Sequence, residues 1–147
     1  MTEALEEMGP VDYLVIEWPD EQPKGAAAPL LLDLVDRGVI RVIDIAFLAK
    51  REDGSIEMLE ISNLAEESDE LKALLGASSN LLSDEDMTEA AQVLDPGTSA
   101  GILVYENRWA APFAAALRRS GAQLVANGRV PVQSIVAALD AAEAASV

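Results

Sequence analysis

The stretch Val39–Arg51, VIRVIDIAFLAKR, continues through Glu52-Asp53-Gly54-Ser55 into Ile56–Ile61 (IEMLEI). The first run is rich in β-branched and apolar residues, and Asp-Gly is a strong signal for a tight hairpin turn. Two antiparallel strands are therefore expected here. Upstream, Val11–Trp18 (VDYLVIEW) is a second β-rich run, bounded by Gly9-Pro10 and Pro19. Pro19–Pro29 reads as a loop. Leu30–Arg37 places Leu30, Leu31, Leu34 and Val35 at helical spacing, with Pro29 at the start and Gly38 at the stop.

Beyond the hairpin the character changes. Asn63 with Glu66, and Ser83 with Asp86, each pair an N-cap residue with an acid three positions on. Helices are predicted at about 64–76 and 84–94. Ala100–Glu106 (AGILVYE) reads as a strand, Pro112–Ser120 as a helix closed by Gly121, and Ala122–Ala126 as a strand with a turn at Asn127-Gly128. Pro131–Ala145 reads as a final helix.

A weak internal repeat runs through this order. PLLLDLVDRG (Pro29–Gly38) and PFAAALRRSG (Pro112–Gly121) share the spacing of Pro and Gly, and Leu34 matches Leu117. Each follows a strand with a glutamate and a tryptophan near its end: Glu17-Trp18, and Glu106 with Trp109. Two βαβ units in one sheet suggest an α+β, ferredoxin-like fold, βαββ–(helical insertion)–βαβ–α, with a mainly antiparallel sheet and helices on one face. A doubly wound α/β sheet is the alternative. The expected organisation is one domain over 1–147, with an N-terminal tail at 1–9 and an acidic helical insertion at 62–95.

Composition narrows the chemistry. The 147 residues include no histidine and no cysteine, 26 acids and 10 bases. Ser-His-Asp and Cys-His sites, zinc fingers and thiolate-bound clusters are thereby excluded. Half of the residues are apolar but only six are aromatic, so the core must be built from Leu, Ile, Val and Ala. Residues 1–96 hold 23 acids against 6 bases, whereas 97–147 hold 3 against 4. The acidic part repels nucleic acid and anionic lipid. With no signal-like N-terminus and no apolar run of membrane-spanning length, a cytoplasmic protein without membrane insertion is expected. No cofactor is suggested, as neither a glycine-rich phosphate loop nor a Walker lysine appears.

The acid clusters Glu66, Glu67, Asp69, Glu70 and Asp84, Glu85, Asp86, Glu89 lack the spacing and glycine of a calcium loop. They fit the first turns of helices, where carboxylates are favoured by exposed N–H groups, so no metal site is expected. Asp44 is the odd residue, a carboxylate inside an apolar strand, costly to bury without a partner. A functional reading groups it with Glu17 and Glu106 as a ligand or acid–base site. A structural reading pairs it with Arg41, Arg108 or Arg129, or leaves it on an exposed face of the sheet. Paired carboxylates can hydrolyse glycosides, but two Trp and two Tyr are a poor supply for a sugar cleft.

The segments MGPVDYLVIEWP (Met8–Pro19) and LVDRGVIRVIDIAFLAKREDGSIE (Leu34–Glu57) resemble a family of small uncharacterised actinobacterial proteins over most of the chain from Met8 onward. That family is similar to a broader uncharacterised, membrane-associated one with a glycine-rich apolar segment mid-chain. Here the corresponding stretch, Ser62–Asp95, is acidic and helical instead. The resemblance implies one α+β domain and no established activity.

A non-enzymatic domain that binds protein, itself first, is therefore expected, with no catalytic residues. Trp18, Trp109, Arg108, Arg118, Arg119 and Arg129 are the candidate interface residues. Arginine-bearing and acidic surfaces meeting head to tail would close a ring or extend a filament. The alternative is a small-molecule module or carboxylate enzyme centred on Asp44, Glu17 and Glu106.

Overall fold

The computed structural model describes residues 7–23, 26–60, 69–75, 81–123 and 131–145. Its centre is a four-stranded antiparallel sheet in the order β1-β4-β2-β3, built from β1 (Val11–Trp18), β2 (Ile40–Lys50), β3 (Ile56–Leu59) and β4 (Thr98–Asn107). Helix α1 (Ala28–Asp36) joins β1 to β2, and these two strands flank β4. Helices α2 (Asp69–Leu75) and α3 (Asp84–Ala91) separate β3 from β4. After β4 a 3₁₀ turn, Arg108–Ala110, leads into α4 (Ala111–Arg119), and α5 (Val132–Ala145) is the last element.

The hairpin forms at Asp53-Gly54 as its sequence demands. Gly54 has φ 85°, a left-handed conformation, and Asp53 accepts hydrogen bonds from the Ser55 N–H and hydroxyl. The two halves of the internal repeat share one local geometry. Both α1 and α4 are nine residues long with proline in the first turn. Gly38 and Gly121 close them at φ 73° and 87°. In both, the N–H of the residue after that glycine (Val39, Ala122) bonds back to Leu34 or Leu117, the double bond pattern of a glycine-terminated helix. The strand expected next after α4, Ala122–Ala126, is not seen in its described part: Ala122 and Gln123 carry no strand, and 124–130 lie outside the described residues. The turn expected at Asn127-Gly128 and the cap at Asn63 lie outside them too.

The sheet is covered on both faces, which corrects the expectation of helices on one face. Neighbouring residues of a strand point to opposite sides. On one side Phe47, Ile45, Leu103 and Tyr105 form a core with Leu74 of α2 and with Leu31, Leu34 and Val35 of α1. On the other, Leu48, Ala100 and Ile102 pack against Met87 and Ala91 of α3 and against Leu94. The segment read as an insertion thus supplies apolar side chains to both cores. It is part of the domain's packing.

A β-bulge in β2 sorts these faces. The pairing with β4 slips between Val42, opposite Tyr105, and Asp44, opposite Val104. Ile40 and Val42 share the α1 side with Ile45 and Phe47 only because Ile43 is the extra residue. Strict alternation from Val42 would aim Asp44 into the larger apolar core. The bulge turns it to the α3 side.

Candidate interaction surface

The three carboxylates singled out from sequence all sit on the α3 face of the sheet, and each holds backbone. Asp44, only 2% exposed, accepts hydrogen bonds from the N–H groups of Ile45 and Leu82, the latter just ahead of α3. Glu17 accepts from the Asp95 N–H and the Thr98 hydroxyl, fixing the chain where it leaves α3 for β4. Glu106 accepts from the Gly9 N–H at 2.8 Å and from Arg41 Nε at 2.7 Å. Lys50, a residue with no distinctive sequence signal, donates to the carbonyls of Ala91 and Leu94 and so caps the C-terminal end of α3. At the other end Ser83 and Asp86 form the expected capping box.

Along β4 the carboxylates are spread out. Glu17 lies opposite Ala100, and Glu106 is six residues further on, about 20 Å at the usual rise of a strand. That separation does not bring Glu17 and Glu106 to one reacting atom. Among the described residues no three acidic side chains are grouped to hold a metal ion.

Of the arginines expected beside Asp44, Arg41 pairs with Glu106, while Asp44 accepts the Leu82 N–H just ahead of α3. Arg129 lies outside the described residues. Burial acts to raise the Glu106 carboxyl, but the Gly9 and Arg41 hydrogen bonds and the charges of Arg41 and Arg108 outweigh it, and the group titrates below the ordinary glutamate value. A depressed folded value means stability that is present above the unfolded carboxylate pKa and is lost as pH falls through the folded one. Glu106→Gln should therefore flatten the acid limb of unfolding free energy against pH, measured by denaturant titration. Equal slopes for the two proteins would refute this role. The same contact shows that Gly9, assigned by sequence to a tail, is buried and bound to the sheet.

The candidate interface residues separate into two places. Trp18 lies half-buried in the core, its ring 6.4 Å from that of Phe47. Trp109, Arg108, Arg118 and Arg119 all lie on the 3₁₀ turn and α4, and all are exposed. Helix α4 is oriented against the usual rule. Its buried residue is Ala115, whereas Phe113 and Trp109 are each 69% exposed and Leu117 is also exposed. Trp109, Phe113 and Leu117 follow one another at four-residue intervals, so they line one side of the helix. Phe113 was missed from sequence because its apolar stripe reads as a core-facing one. Arg118 and Arg119 lie around the helix from this stripe, toward Ala115: Arg119 lines a small cavity with Ala115 and Glu7, and Arg118 donates to the Met8 carbonyl.

Among the described residues, no helix is long and apolar enough to cross a membrane. Comparison with curated proteins and with solved structures found no significant match. The sequence pattern of a family of unknown function, DUF6325, matches residues 7–146, and the chain belongs to that family.

Proposed function

We propose that this domain is a non-enzymatic protein-interaction module that associates with itself through the 3₁₀–α4 surface. One observation carries the reading: a helix that turns alanine inward and Trp109, Phe113 and Leu117 outward. Exposed aromatic residues beside arginine are what interface centres are made of. Leaving such side chains in water is unfavourable unless they are covered in the working state. The competing reading, a site centred on Asp44, Glu17 and Glu106, loses support because those carboxylates accept hydrogen bonds from the backbone that anchors α3 and the Gly9 segment.

Light scattering at micromolar concentration tests the proposal. The wild-type protein is expected to exceed its 15.6 kDa chain mass. The double variant Trp109→Ser, Phe113→Ser should fall to that mass with an unchanged circular dichroism spectrum, since both positions are exposed. A wild-type monomer, or a variant that assembles as well as the wild type, would overturn it.

A further inference from the structure

The turn between β2 and β3 carries a reactive pair as well as a fold signal. We infer that Asp53-Gly54 is a site of spontaneous isoaspartate formation, and that Ser55 holds the reaction in check. This inference is independent of self-association. Asp53-Gly54 is the one Asp-Gly pair in the sequence, and both residues are exposed. In such a pair the glycine nitrogen can reach the carboxyl carbon of the preceding aspartate, because no Cβ shields it. A bond forms from Gly54 N to Asp53 Cγ. A C–O bond of the protonated carboxyl breaks, and its hydroxyl leaves as water with the proton from Gly54 N. Water then opens the resulting succinimide at either carbonyl, so no further reactant is needed. Opening at the main-chain carbonyl of Asp53 leaves the chain running through the former side-chain carboxyl.

The folded turn opposes this attack. The Gly54 N–H donates to the Arg51 carbonyl at 2.9 Å, which engages the attacking nitrogen. One Asp53 carboxyl oxygen accepts the Ser55 hydroxyl at 2.6 Å and the Ser55 N–H at 2.9 Å, so the carboxyl is turned past Gly54 onto the next residue. The Ser55 hydroxyl and N–H, with a smaller part from the Arg51 charge, hold this carboxyl below the ordinary aspartate value. Less of it is then the protonated acid, which is the form that reacts. The product would carry one more carbon in the backbone of the turn. The Arg51 N–H bonds the Ser55 carbonyl at 2.8 Å, and Lys50 pairs with Ile56 immediately beyond, so a lengthened turn does not fit this register. Strand β3 is four residues long and stands at the edge of the sheet, so it is the element set to loosen.

Peptide mapping of the aged full-length protein tests the inference. After incubation at mildly acidic pH, the tryptic peptide Glu52–Lys72 is scored for isoaspartate at Asp53 by its backbone fragments. The folded wild type is expected to accumulate it slowly, and the same chain unfolded in guanidinium several-fold faster. Ser55→Ala removes only the hydroxyl and should raise the folded rate several-fold. Ser55→Thr keeps a hydroxyl and should age like the wild type, which separates loss of the bond from a general loosening of the turn. No isoaspartate at Asp53 in the unfolded chain would show that the pair is not reactive. Ser55→Ala aging no faster than the wild type, or Ser55→Thr aging as fast as Ser55→Ala, would show that the Ser55 hydroxyl is not the check. Any of these results overturns the inference.

Discussion

Leu48→Ala is expected to destabilise the domain by about 4 kcal/mol, within the range for a leucine truncated in a packed core. Leu48 is 0% exposed, toward the end of β2, where that strand pairs with both β3 and β4. It meets Met87, Ala91 and Leu94 from the α3 segment and Ala100 and Ile102 from β4. Two of those neighbours are alanines, with no flexible side chain to move into the space left. The loss should lower the melting temperature by roughly 12 °C for a chain of this size. It should also raise hydrogen exchange in α3 ahead of α1, because α1 packs on the opposite face. Thermal denaturation and exchange mass spectrometry check both parts; a shift below a few degrees would mean that this second core is not closed as described.

Gly9→Ala should cost about 3 kcal/mol, although it adds one methyl group. A Cβ at Gly9 would stand 2.3 Å from the Asn107 carbonyl oxygen and 3.3 Å from the Ala111 nitrogen. Both obstacles are backbone, held by β4 and by α4, so neither can turn aside. The segment must lift instead. That breaks the bond from Gly9 N–H to Glu106 and endangers the one from Asn107 N–H to the Pro10 carbonyl. Denaturant titration should show the loss, and the variant should share with Glu106→Gln a flattened dependence on acid pH. At Gly101 the neighbours are the ring edges of Phe47 and Trp18, which can yield, so Gly101→Ala should cost less.

Much of the local structure was legible because its signals are local. Asp53-Gly54 sets its turn through one left-handed glycine, Ser83 and Asp86 satisfy each other's N–H groups within one helical turn, and Gly38 and Gly121 end their helices by the same bonds. What sequence did not reveal depends on register or on distant backbone. Nothing in VIRVIDIAF marks Ile43 as the bulged residue, so the side to which Asp44 points could not be read. Lys50 looks like a strand-end lysine until the carbonyls of Ala91 and Leu94 are placed above it. The 3.6-residue periodicity of α4 was visible, but its direction was not. An apolar stripe is ordinarily turned inward. Here the inward side is alanine, and that inversion is where the functional reading starts.

If a second copy of the chain covers Trp109, the fluorescence of Trp109 must change with protein concentration. Trp18 is held beside Phe47 in the core whether or not copies associate, so any change with concentration reports on Trp109. As the protein is concentrated through the micromolar range, emission should shift to the blue and acrylamide quenching should fall; Phe113→Glu should abolish both changes. Emission and quenching that stay constant with concentration, with one indole exposed to quencher throughout, would show that no second copy covers Trp109.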